Sequence, residues 1–261
     1  MDKNTLLTYY RGQSVDRERM YAKPFRRYQQ RRRLEMVREL LLEQRGRRHG
    51  GLLLDVGCGD GYGIATILEG LKYRLLAGVD LSPEKLRTAG RTLRDSRMIM
   101  GDAEVLPLAG NAFETAFSLE TLEHLPDPQR ALDEFARVLE PGGRLFISIP
   151  VCSELKTRVA TRLMRFRSRK KFHEHIQYFS LRRIARMLNR AGLEPAGHRF
   201  CVFNYPGFEL LTRIIPYSVW RRMDGFLSRI PMGFAGFKLG LSFGVGSEYL
   251  VVGAKKAGGR A

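Results

Sequence analysis

The chain has 261 residues, with 45 Lys and Arg against 27 Asp and Glu, a formal charge of +18, and 44% apolar residues. That is enough length and apolar content for one sizeable core with an accessory layer, and it excludes a fully disordered chain. The longest charge-free stretches, such as Phe200 to Phe208 and Leu239 to Ser247, fall well short of the ~20 apolar residues that span a bilayer, so no transmembrane helix is expected.

Taken from the N-terminus, Met1-Asp2-Lys3-Asn4 lacks a basic-then-apolar leader, and Cys58, Cys152 and Cys201 are widely spaced without a CxxC pair. Both features point to a reducing cytoplasm, with no disulfide framework and no structural zinc. The charge is uneven: residues 1–50 carry 14 basic and 6 acidic groups, residues 51–150 carry 10 and 15, and residues 151–261 carry 21 and 6. An acidic centre between basic flanks suggests a core built for a cation, with arms facing something anionic. Arg-rich solvated helices are the alternative reading of the same excess.

Between Phe25 and Arg45 the residues Leu34, Val37, Leu40 and Leu41 recur at helical spacing among arginines, with Gly46 as a stop, which predicts an amphipathic helix. Short apolar runs then predict strands at Leu52 to Val56, Leu75 to Val79, Arg97 to Met100, Thr115 to Leu119 and Arg144 to Ile149. Helical patterns lie between them. Ser82-Pro83 and Asp127-Pro128 each set a capping side chain before a proline, whose missing N–H costs nothing at the first helical position. Strict alternation of strand and helix implies a parallel sheet covered on both faces, an α/β class.

Beyond Pro150, Lys156 to Lys171 reads as a basic helix or exposed segment. Ser180 to Arg190 reads as a helix capped by Ser180 and stopped by Gly192, and Phe200 to Phe208 and Ser247 to Gly253 as strands. With no repeat and no long linker, the expected organisation is a basic helical arm over residues 1–49, a ligand-binding core over 50–150, and a substrate-side insertion over 151–261 that also supplies the last strands of the same domain.

The most informative stretch is Asp55-Val56-Gly57-Cys58-Gly59-Asp60-Gly61-Tyr62-Gly63, placed after a buried strand and before a helix. Glycines there let the backbone turn sharply and approach a ligand closely. A tight turn with no ligand is the plainer alternative. Asp80 ends the next strand, where a carboxylate can accept both hydroxyls of a ribose. The loop lacks both the strict GxGxxG fingerprint and the Gly-Lys-Ser/Thr ending of a P-loop, and bulky Tyr62 would crowd a pyrophosphate. A smaller, carboxylate-bearing nucleoside fits better.

DVGCGDGYG, VDLSPE, GDAEVLP, SLETLEHLPDP and LEPGGRLFISIP, in that order and spacing, resemble the class I S-adenosylmethionine-dependent methyltransferases, especially the broad group that contains ubiquinone-pathway O-methyltransferases. The resemblance is close over residues 50–150 and looser over HEHIQYFSLRRIARMLNRAG and the final strand. It implies a Rossmann-like, seven-stranded, mostly parallel sheet with helices on both faces and an antiparallel last strand, SEYLVVGAK. It also implies S-adenosyl-L-methionine as cofactor. Carried onto matching positions, it gives Asp55, Gly57, Gly59 and Gly61 to the methionine end and Asp80 to the ribose, with Leu81 beside the adenine. Asp102 and Ala103 would meet the adenine, and Leu119 and Glu120 the sulfonium. Asp102 could instead simply cap a turn.

Methyl transfer needs alignment and, for a hydroxyl acceptor, removal of a proton. His124, just after the fourth predicted strand, is the candidate general base, because imidazole titrates near neutrality, and Glu123 is its candidate helper. Both could instead brace the next helix. Glu120, Glu123 and His124 also form a weak metal-binding candidate, similar to a cluster in some ubiquinone-pathway O-methyltransferases where a divalent cation is implicated, and no metal is assigned. His173 and His175 could contact substrate or belong to a polar loop. Tyr9, Tyr10 and Tyr28 could close over the cofactor or pack the arm.

Three readings of the acceptor compete. A small-molecule or lipid-linked acceptor, methylated on oxygen, is suggested by the resemblance and by Phe203, Phe208, Trp220, Phe226, Phe234 and Phe237 set among arginines. That mixture suits an anionic membrane surface met from the cytoplasm, or a cap lining the pocket. RNA methylation is suggested by the net charge, although Ser118-Leu119-Glu120 stands where amino-methylating nucleic-acid enzymes carry an Asn/Asp-Pro-Pro-aromatic motif. A non-catalytic S-adenosylmethionine-binding protein is the third.

Overall fold

The computed structural model describes residues 24–44, 51–151, 177, 179–202, 216–219, 221–222 and 247–256. The first element, α1 (Pro24–Gln44), buries Tyr28, Leu34, Met36, Val37, Leu40 and Leu41 on one side. These pack on Ile64 and Ile67 of α2 (Tyr62–Leu68) and on sheet residues Phe117, Phe146, Leu250 and Val252. Burying six such side chains contributes on the order of 10 kcal/mol of gross transfer free energy, enough to hold a helix whose first turn has no acidic residue to offset its dipole. Polar ties add direction: Arg38 Nη1 donates to the Ile67 carbonyl at 2.6 Å, and Arg199 Nη2 to Glu43 at 2.6 Å.

The sheet comprises β1 (Leu52–Val56), β2 (Leu75–Asp80), β3 (Ser96–Met100), β4 (Phe113–Leu119), β5 (Leu139–Val151), β6 (Leu193–Val202) and β7 (Ser247–Lys255). Its order is β3-β2-β1-β4-β5-β7-β6. The pairs β1–β2, β1–β4, β2–β3 and β4–β5 are parallel, and β7 runs antiparallel to both β5 and β6. This is the Rossmann-like α/β sheet expected, with SEYLVVGAK as the antiparallel strand. The middle strands are apolar at nearly every position because helices bury both of their faces. Helices α1 and α2 cover one side. On the other, α4 (Pro128–Val138) and α5 (Leu181–Arg190) pack Leu132, Phe135, Ile184 and Leu188 against Leu54, Ala116, Leu145 and Ile147.

Each expected cap is present. Ser82 Oγ accepts from Lys85 N–H at the start of α3 (Pro83–Thr92), Asp127 Oδ1 from Gln129 and Arg130 N–H, and Ser180 Oγ from Arg183 N–H. One strand is placed differently. β6 starts at Leu193, seven residues before the expected Phe200. Pro195 and Gly197 fall at a register shift on this edge strand, where proline deprives no ladder of a donor. Residues 203–208, Lys156 to Lys171 and most of the C-terminal aromatic segment lie outside the described residues. Among the described residues no helix is long and apolar enough to cross a membrane.

Candidate active site

The parallel strands end on one edge, and the turns leaving β1, β2 and β4 converge there. After β1 the chain folds back at once: the N–H groups of Gly57 and Cys58 both donate to the Val79 carbonyl, at 2.7 and 3.1 Å. Three left-handed residues shape the turn, Gly57 at φ 76°, Gly59 at φ 55° and Gly61 at φ 78°. Their reasons differ. A Cβ on Gly57 would lie 2.1 Å from Thr121 Oγ1, and one on Gly61 2.8 Å from Leu93 Cδ1, whereas a Cβ on Gly59 would meet nothing within 4 Å. Gly57 and Gly61 are glycines because protein surrounds them. Gly59 borders open space.

Asp80 closes the other side of this hollow. Its Oδ2 accepts from Gly59 N–H and its Oδ1 from Ser82 N–H, both at 2.9 Å, which fixes the plane of the carboxylate and leaves a further lone pair on each oxygen. Asp55, on β1 beside Gly78 of β2, is buried with 4% exposure. Burial, and then the charge of Asp80, push its carboxyl up to about 7. Burial and the same carboxylates also push the Cys58 thiol up, which makes it an inert packing residue. Two acidic groups crowded beside a glycine turn form a cradle for a cation, and the residues present fit a nucleoside carrying one.

On the adenine side expected from the sequence, Leu81 is half-buried and Ala103 buried. Asp102 Oδ1 accepts from Glu104 N–H at 2.9 Å, and Val105 N–H donates to the Asp102 carbonyl at 3.0 Å. The turn-capping role is therefore real, and it uses Oδ1.

At the tip of β4, after half-buried Leu119, Glu120 adopts φ 52°, a left-handed backbone that costs a non-glycine residue about 1–2 kcal/mol. Its N–H donates to both the carbonyl and Oγ of Ser148, at 3.1 Å each. Its Oε2 stands 3.5 Å from Arg33 Nη2 of α1. Glu123 turns inward and is completely buried, and its carbonyl accepts from Gln177 N–H at 3.0 Å, which braces the turn. His124 keeps 21% of its side chain exposed, with Nε2 4.0 Å from Glu123 Oε1. Among the described residues no three His, Cys, Asp or Glu groups converge on a metal site, so Glu120, Glu123 and His124 do not assemble as one.

Tyr9, Tyr10, His173 and His175 lie outside the described residues. Tyr28 is buried edge-on against Tyr217, ring centroids 5.4 Å apart, and packs the arm. Sequence reasoning missed Arg33, Thr121, Ser148 and Glu104. Arg33 is one of three consecutive arginines, and nothing in its spacing marks it; Glu104 stands inside a motif read for its first two residues.

The chain matches the methyltransferase domain family over residues 25–196 and belongs to it. It is a class I S-adenosylmethionine-dependent methyltransferase, an enzyme whose cofactor is S-adenosylmethionine. It is 33% identical over 118 residues to the ubiquinone biosynthesis O-methyltransferase of Coxiella burnetii, covering 43% of this chain and 49% of that protein. It is 33% identical over 120 residues to the chloroplastic 2-methyl-6-phytyl-1,4-hydroquinone methyltransferase of Spinacia oleracea, covering 45% and 35%. Among solved structures it resembles geranyl diphosphate C-methyltransferase from Streptomyces coelicolor, in complex with Mg2+, geranyl-S-thiolodiphosphate and S-adenosyl-L-homocysteine. That match has a TM-score of 0.57 at 18% identity and covers 85% of this chain and 76% of the other. The chain spans about half or less of the length of these curated relatives.

Proposed function

We propose that the chain methylates an oxygen of a small-molecule or lipid-linked acceptor, with His124 as general base. The observation that carries this reading is the turn after β4, where a partly exposed imidazole stands beside a fully buried carboxylate, one residue back, at 4.0 Å. An acceptor hydroxyl approaching there can pass its proton to His124, and the Glu123 carboxylate stabilises the imidazolium that results. S-adenosylmethionine supplies a methyl group on a positive sulfur, which keeps the electron pair of the broken carbon–sulfur bond as the carbon–oxygen bond forms.

Asp55, Gly57, Gly59 and Gly61 hold the methionine end in this reading, Asp80 the ribose, Leu81, Asp102 and Ala103 the adenine, and Leu119 and Glu120 the region of the sulfur. A lipid-linked acceptor is favoured by the names of the relatives, which include ubiquinone and phytyl-hydroquinone chemistry. The basic, aromatic composition of residues 151–261 also favours it. Each Lys or Arg near an anionic bilayer adds roughly 1 kcal/mol, so contact of this kind would be peripheral, made from the cytoplasmic side.

The test is incubation with methyl-labelled S-adenosylmethionine and a host extract, followed by partition. Label in the organic layer supports the reading. Label in nucleic acid replaces it with RNA methylation, which the charge of +18 favours. Binding of S-adenosylmethionine with no labelled product replaces it with a non-catalytic role. With the acceptor in hand, His124→Ala should lower kcat by about 10²–10⁴-fold, the range for loss of a general base.

A further inference from the structure

The loop after β3 is fastened to α4 at both ends of that helix. Near the N-terminus of α4, Oε1 of Glu104, a residue only 3% exposed, accepts from the Asp127 N–H at 2.8 Å. Near the C-terminus, Glu134 Oε2 accepts from Leu106 N–H at 2.7 Å. Arg137 donates through Nη2 to the Leu106 carbonyl at 3.0 Å and through Nη1 to the Leu108 carbonyl at 2.9 Å. Arg137 and Glu134 grip each other through two hydrogen bonds, at 2.7 and 2.8 Å. Between these clamps the Ala103 and Leu106 side chains are buried in the core cluster that also holds Leu122, Leu125, Leu132 and Phe135.

The two ends of this splint carry different parts of the site. One is the loop of Asp102 and Ala103, on the adenine side. The other, Asp127, is three residues beyond His124, and the Leu125 between them is buried. Packed protein interiors transmit small displacements instead of absorbing them. A shift of the loop when adenine binds therefore moves the Asp127 backbone through Glu104, and with it the turn that presents His124.

We propose that Glu104 is a positioning residue that couples adenine binding to the placement of His124, with Arg137 holding the far end of the same loop. This rests on the reading of Asp102 and Ala103 as the adenine contacts and of His124 as the base. Glu104 acts in this proposal through Asp127 and not by contact with cofactor or acceptor. The link runs through Oε1 as an acceptor, so Glu104→Gln keeps it while Glu104→Met, of similar length, cannot accept from Asp127 N–H.

The test uses the full chain labelled with ¹⁵N-histidine, adenosine and S-adenosylhomocysteine as probes, calorimetry for affinity and NMR for the His124 ring. In the wild type and in Glu104→Gln, adenosine should shift the His124 resonance. In Glu104→Met the shift should vanish, and the affinity for S-adenosylhomocysteine should fall about tenfold, as for a lost hydrogen bond. Arg137→Lys, at a partly exposed position, tests the other clamp if the buried variant does not fold, and should weaken affinity several-fold. A His124 shift that persists in the non-accepting variant, or wild-type affinity in Arg137→Lys, overturns the coupling. Loss of the base reading is separate: there His124→Ala keeps turnover while the adenosine-induced shift remains in the wild type.

Discussion

The carboxylate of Asp80 accepts from the Gly59 backbone N–H at 2.9 Å, so the turn leaving β1 and the tip of β2 form one rigid unit before any ligand arrives. Preorganisation of this kind lowers the ordering cost of binding. In the proposed reading Asp80 then has two duties, holding the turn and meeting the ribose. Asp80→Ala should remove both and raise the Kd for S-adenosylmethionine by about 10²-fold, the equivalent of two hydrogen bonds to a charged group. Calorimetry checks this. An unchanged Kd would remove the carboxylate from the binding site altogether.

Gly57 and Gly59 separate fold from ligand contact. Both are left-handed, which costs alanine about 1 kcal/mol or more. At Gly57 the new methyl would also strike Thr121 Oγ1 at 2.1 Å, so Gly57→Ala should be destabilised by about 2–4 kcal/mol. Gly59→Ala should remain folded within about 1–2 kcal/mol of wild type, because its methyl meets no protein atom. In the proposed reading it should nevertheless lose S-adenosylmethionine binding, because the methyl would enter the space of the cofactor's contact with the backbone. Denaturant melts and calorimetry on the pair separate the two effects.

The raised carboxyl of Asp55 links proton, stability and cofactor. An acid whose folded pKa of about 7 exceeds its ordinary value of 3.8 is held protonated by the fold, so ionisation works against the folded state. Stability of the cofactor-free enzyme should therefore fall as pH rises between about 4 and about 7, by up to about 4 kcal/mol from this group alone. A cationic ligand favours the ionised form. Affinity for S-adenosylmethionine should accordingly rise with pH up to about 7 and then level off. Asp55→Asn should melt higher than wild type at pH 8, show little difference near pH 4, and bind cofactor more weakly without that pH dependence. Melting curves and titrations across the range read all three.

Much of the frame was legible because local signals and burial agree. Leu52 to Val56 is apolar at four of five positions and forms β1 with those bounds, and Ser82, Asp127 and Ser180 cap the helices they precede. The glycine turn and Asp80 were visible because each needs a particular residue type at a particular distance from a strand end. What was hidden depends on tertiary contact. The start of β6 at Leu193 depends on β7, whose pairing accommodates Pro195 and Gly197 at a register shift. Arg33 becomes part of the site only when α1 crosses the sheet and reaches Glu120. Glu123 and His124 are adjacent in sequence and equally polar, yet one is wholly buried and the other partly exposed, a difference no spacing rule carries.

Lys255 anchors the last strand. Its Nζ donates at 2.7 Å to Asn111 Oδ1 and to the carbonyls of Ala136 and Leu139, at the end of α4 and the start of β5. Lys255→Met keeps the aliphatic stem but leaves those carbonyls without their donor. The loss should be about 2–3 kcal/mol of stability, read in a denaturant melt, with S-adenosylmethionine affinity unchanged because the strand ends at the opposite edge of the sheet from the glycine turn.

Glu120 presents the reverse case, a residue whose backbone costs stability where it stands. At φ 52° glycine would relieve about 1 kcal/mol or more of strain, which offsets much of the cost, about 1–2 kcal/mol, of losing the largely buried pair with Arg33. Glu120→Gly should therefore fold with stability close to that of wild type. If a glutamate is kept there for packing, the variant should also turn over normally. If the left-handed kink and the Ser148 hydrogen bonds serve to aim the carboxylate at the region of the sulfur, turnover should fall at least tenfold, with Glu120→Gln intermediate because it keeps the hydrogen bonds and loses the charge. Paired melts and single-turnover assays decide between the two, and an active, stable glycine variant would assign the kink to packing alone.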